Sequence, residues 1–107
     1  MKTVMNIKQK MEFKWGEIIA TKNKREALFD KFEANKDRIS ELYFELEIKQ
    51  LQYMYLKREQ LTEMKRTTMI PDSIMRIDKM NEACIQLSQK KLIEYGYKEL
   101  LEQEGLI

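Results

Sequence analysis

The sequence predicts an all-α fold of three helices. A long central helix packs with the third as an antiparallel coiled-coil hairpin, and the assembly is expected to be oligomeric. Three observations lead there. Apolar residues recur at spacings of three and four nearly everywhere, which is helical periodicity. The 107 residues include three Gly and one Pro, too few to punctuate the short strands of a β-sandwich. One stretch of helical pattern, 24–66, would span ~65 Å at ~1.5 Å per residue, whereas a compact domain of this length has a radius of gyration near 13 Å. The whole chain, 1–107, is expected to form a single helical domain.

The first helix is placed at about 3–22, with Val4, Ile7, Met11, Trp15 and Ile18 as its apolar stripe. Asn23 followed by Glu26 fits a capping box, with Asn as the cap, so the second helix is placed at about 24–66. Lys65 and Arg66 suit its end, where cations offset the helix dipole. The helical pattern stops at Thr67-Thr68, and Pro71 followed by Asp72 suits a first turn, so 67–71 reads as the one sharp turn. The third helix, about 72–95, carries Ile74, Ile77, Met80, Cys84, Leu87, Leu92 and Tyr95 as its core stripe, opposite Lys79, Glu82, Gln86 and Lys90. Gly96 is positioned to end it. A short extension to 104 would dock Leu100 and Leu101 back on the core.

The central helix carries two apolar seams. Leu28, Phe32, Ile39, Leu42, Leu46, Tyr53 and Leu56 follow steps of four and three, with Asn35 and Lys49 as polar interruptions that would fix a register. Phe44, Ile48, Leu51 and Tyr55 lie roughly opposite. A helix apolar on two sides must be sandwiched between neighbours. The third helix can cover one seam, and the first is expected to reach only part of the other, leaving the remainder to a partner. Whether the helix is straight or breaks near Asn35-Lys36-Asp37 is left open by the pattern.

Composition argues against catalysis. There is no His and a single Cys, which removes the commonest general base and metal ligand and any Cys-based zinc site. No nucleophile–base pair or phosphate-binding loop is present, and no enzyme activity, cofactor or metal is expected. Glu41 and Glu45 share a helix face but read as solvated carboxylates. Cys84 lies on the core stripe and reads as a small hydrophobe. Met11, Met64 and Met80 read as core filling.

Charged residues make up 36% of the chain and the net charge is +2. Residues 1–25 hold seven Lys or Arg against Glu12 and Glu17, a local +5. Within that stretch Lys8, Lys10, Lys14 and Lys22 are interleaved with Phe13 and Trp15. This pattern could hold phosphates while an aromatic ring stacks on a base. Trp15, however, lies on the stripe expected to face the core. No apolar run approaches the length of a membrane span. The first residues lack an export core, and a lone Cys suits a reducing cytoplasm, which is the expected location.

The function expected from these features is non-catalytic protein binding through exposed helical seams, as an adaptor, a secretion-type chaperone or a regulator. The partner-binding residues would be Leu28, Phe32, Ile39, Leu42, Leu46, Tyr53 and Leu56 on the central seam, with Met75 and Ile93 projecting from the polar side of the third helix. The partner would be a second copy or a different protein. The alternative is a small nucleic-acid-binding protein using Lys8, Lys10, Lys14 and Lys22.

Overall fold

A computed structural model describes residues 6–67 and 72–107, and every described element is helical. The order is α1 (Ile7–Ala27), a 3₁₀ turn (Phe29–Lys31), α2 (Phe32–Thr67), α3 (Asp72–Glu94) and a short α4 (Lys98–Gln103). The turn expected over 67–71, like Val4 and the expected helix start at 3, lies outside the described residues apart from Thr67 at the end of α2. No helix among the described residues is long and apolar enough to cross a membrane.

Asn6 opens α1. Its side chain accepts a hydrogen bond from the Gln9 backbone N–H at 2.8 Å, and the Gln9 side chain accepts from the Asn6 N–H at 3.1 Å. This is a capping box with Asn and Gln in the paired positions. The similar pattern at Asn23–Glu26 opens nothing, and α1 runs through it to Ala27. Thr21 and Arg25 hold this last part of α1 to α2. The Thr21 hydroxyl accepts from Lys49 Nζ at 2.8 Å, and the Arg25 guanidinium lies 5.1 Å from the Phe29 ring centre and 5.2 Å from that of Tyr43. A propensity-level start signal is a weak prior against such tertiary contacts.

The break falls at Phe29–Lys31 instead, where the Phe29 and Phe32 rings stack 7° from parallel. Asn35 Nδ2 donates at 3.4 Å to the Leu28 carbonyl, which also accepts from the Lys31 N–H at 3.3 Å. α2 then continues unbroken through Asn35-Lys36-Asp37. At ~1.5 Å per residue its 36 residues span ~54 Å, which matches the longest dimension of the molecule, 54 × 37 × 27 Å.

α3 ends as Gly96 allows. Gly96 has φ +91°. Its N–H donates to the Ile93 carbonyl and that of Tyr97 to the Leu92 carbonyl, each at 3.0 Å. This is a Schellman motif. The same pair of bonds recurs after α4, around Gly105 at φ +68°.

α2 is the middle of the molecule. α1 and α3 each pack along it, and among the described residues they do not meet each other. Residues of α2 that reach α1 (Lys49, Gln52, Tyr53) and those that reach α3 (Glu47, Met54, Arg58) lie on opposite sides of a helical wheel. The three helices therefore form one layer. The core cluster of Leu51, Ile85, Leu92, Leu101 and Leu106 joins α2, α3 and the C-terminal segment, with Phe44, Ile48 and Tyr55 packed against it. The Phe44–Tyr55 seam is thus covered by α3 and the C-terminal segment. The other seam is covered from within the chain more fully than its length suggested: Ile39 is 5% and Leu42 2% exposed.

The buried stripe of α3 differs from the expected one. Asn81, Ile85, Ser88 and Leu92 are buried, whereas Ile77, Met80, Cys84 and Leu87 are exposed. The inward face is rotated by roughly 55° from the expected stripe at ~100° per residue, with Leu92 common to both. Polar cross-links account for the difference. Asn81 Nδ2 donates to the Met54 carbonyl at 3.0 Å and Ser88 Oγ to Glu47 at 3.0 Å, so two polar residues sit inside with partners.

Candidate protein-binding face

α2 presents Tyr53 and Met54 to the space between α1 and α3, and this floors an open groove. One wall is Trp15 and Ile18 of α1, the other Cys84 and Leu87 of α3. Along α3 the groove continues past Ile77 and Met80. Met80 is 68% and Leu87 69% exposed, and Trp15 is 52% exposed with its ring centre 5.5 Å from that of Tyr53. Ile19, one turn on from Trp15, is also exposed. Ile77, Met80, Cys84 and Leu87 step by three, four and three, an apolar seam on the outside of a helix.

Polar groups mark one end of the groove. Glu47 and Lys91 face it, 3.6 Å apart. Lys91 Nζ also donates to the Tyr43 hydroxyl and lies 4.6 Å from the centre of that ring. The hydrogen bond to Tyr43, with the Glu47 carboxylate behind it, holds the Lys91 ammonium above its ordinary pKa. Farther along α2, Arg58 grips Glu82 of α3 with two bonds of 2.6 and 2.9 Å. That hydrogen bonding is the chief cause of the raised Arg58 pKa. These groups lock α3 onto α2. Among the described residues there is no cluster of acidic and Cys side chains able to hold a metal.

The residues singled out from the sequence are distributed as follows. Ile39 and Leu42 are buried in the chain's own interior and present nothing to a partner. Leu28, Leu46, Tyr53 and Leu56 are half-buried along α2 and the hinge, and of these Tyr53 reaches the groove. Phe32 is exposed at the hinge, stacked on Phe29. Met75 and Ile93 are exposed on α3, on the side away from the groove lining. The polar interruptions Asn35 and Lys49, expected to set the register of a coiled coil with a partner, are engaged inside the chain by Leu28, Thr21 and Glu45.

The basic residues do not form one surface. Lys14 is held by Glu17 at 3.1 Å and Gln52 at 3.0 Å. Lys8 and Lys10 lie beside Glu59 and Glu63, and Lys22 stands apart toward the hinge end of α1. Glu41 and Glu45 form separate ion pairs, with Arg38 and Lys49.

Trp15, Ile77, Met80, Cys84 and Leu87, all expected inside, are the residues that define the face. Their period is visible in the sequence. What it lacks is the sign that Asn81 and Ser88, rather than they, turn inward. Compared with protein-family models, curated proteins and solved structures, the chain matches none, so the face has to be read from its own residues.

Proposed function

We propose that this chain is a non-catalytic helical protein-binding module, working as an adaptor, a secretion-type chaperone or a regulator. The observation that carries the proposal is the open apolar face, where Met80 and Leu87 stand mostly in water opposite a half-exposed Trp15. Leaving each such side chain uncovered forfeits roughly 1.5–3 kcal/mol, and contiguous exposed apolar surface of this kind marks interaction sites. Aromatic and Met side chains at its centre are those that protein interfaces favour.

We read α2 and α3 as an antiparallel coiled-coil hairpin that supports this face. Lys65 pairs with Asp78, Arg58 with Glu82 and Glu47 with Ser88, partners in opposite order along the two helices. The reading also places the module in the cytoplasm as part of a homo-oligomer or a hetero-complex.

The test is a native-extract separation. Wild-type chain is expected to migrate in species heavier than its 13.0 kDa, and Leu87→Glu should shift it to the free chain with its helical circular dichroism intact. Migration of the wild type as a free chain would sink the proposal.

A further inference from the structure

The occupant of the apolar face is written in α3 itself. Its exposed seam of Ile77, Met80, Cys84 and Leu87 is close to symmetric about Cys84: Met80 lies four residues before it and Leu87 three after. On the outer flank of the same seam stand Arg76, Ala83 and Glu94, all exposed. Arg76 and Glu94 lie about five helical turns apart and so on one side of the helix. Neither has an ion-pair partner among the described residues.

We infer that the face binds a second copy of this chain, with the two α3 helices antiparallel about a two-fold axis near Cys84. The inference deepens the protein-binding reading above and rests on it. In an antiparallel helix pair the same flank of each helix meets, so each Arg76 faces the other copy's Glu94 and two equivalent opposite-charge pairs close the outer edge. Parallel pairing would bring opposite flanks together and leave each Arg76 about five turns from the other copy's Glu94. Ala83, midway along this flank, lets the backbones approach.

In the centre Met80 of each copy meets Leu87 of the other, and the two Cys84 side chains face each other across the axis. A two-fold interface must be self-complementary. Here the Arg76 and Glu94 charges and the Met80, Cys84 and Leu87 side chains satisfy that condition, and the aliphatic stem of each Lys91 falls opposite the other copy's Ile77. Because the three helices form one layer, the same axis brings Trp15 and the α1 wall toward their own copies at the inner edge, and two open faces close on each other.

The experiment measures the mass of purified wild-type chain by light scattering. The expected value is twice 13.0 kDa, with Leu87→Glu weakening association by about a hundredfold. Arg76→Glu should weaken it by about tenfold, and Arg76→Glu combined with Glu94→Arg should restore it. A short bis-maleimide should join wild-type chains through Cys84 and leave Cys84→Ser chains unjoined, while Cys84→Ser still dimerises.

A monomeric wild type at concentrations well above micromolar would overturn the inference. So would a dimer indifferent to the charge reversal, or one whose Cys84 thiols cannot be bridged. The extract separation distinguishes the two levels. If purified chain is monomeric but extract complexes still depend on Leu87, the partner is a different protein and the protein-binding reading stands. If neither association occurs, both fall.

Discussion

Asn81 shows how a single side chain specifies the α2–α3 contact. Its amide is buried and donates to the Met54 carbonyl. Asn81→Ala removes that bond and leaves a small void, and should destabilise the chain by about 1–3 kcal/mol. At roughly 4–8 °C per kcal/mol for a domain near this size, thermal unfolding resolves the change easily. Lys91 offers a pH test. Its pKa is raised above the ordinary 10.5 by the Tyr43 hydrogen bond and then by Glu47. A raised folded-state pKa means its contribution to stability is fully present below 10.5 and is lost as pH climbs through the folded value. The difference in melting temperature between wild type and Lys91→Met should therefore be constant through neutral pH and shrink only in strong alkali. A difference that vanished below pH 10.5 would contradict the assignment.

At the scale of the element, the end of α3 rests on one backbone angle. No atom lies within 4 Å of a Cβ built on Gly96, yet its φ is +91°. The cost of Gly96→Ala is thus conformational rather than steric, about 1–2 kcal/mol, and should appear as a lowered melting temperature without loss of helix content. At the start of α1, Asn6→Ala removes the cap and should cost about 1 kcal/mol, seen as faster hydrogen exchange of the Gln9 amide. Gly96 and the long helical period were plain in the sequence, because each reflects local geometry. The hinge was not. Asn23–Glu26 has the local form of a helix start, and the contacts of Thr21 and Arg25 with α2 override it. The inward face of α3 was hidden for a related reason. A stripe chosen by hydrophobicity selects Cys84 and Leu87, whereas the buried positions include Asn81 and Ser88, whose cross-helix bonds appear only once α2 is in place.

For the whole molecule, shape is the accessible quantity. The radius of gyration is 16.3 Å, against about 13 Å for a compact domain near this length. The monomeric Leu87→Glu variant should give close to the larger value in small-angle scattering, and a value near 13 Å would mean that the layer folds on itself in solution. The layer also has a mechanical consequence. α1 packs only on α2 and on the turn that joins them, and the buried cluster of Leu51, Ile85, Leu92, Leu101 and Leu106 contains no residue of α1. α1 can therefore swing away on the Phe29–Lys31 hinge while the rest keeps its buried cluster. Such sub-global opening releases a contiguous set of amides together. Native-state hydrogen exchange should show the α1 amides opening as one unit, at a lower free energy than those around Leu51 and Ile85. The same motion would bare Met11, Ile18 and the α1-facing side of α2, surfaces the closed chain keeps from solvent, and so the hinge doubles as a latch.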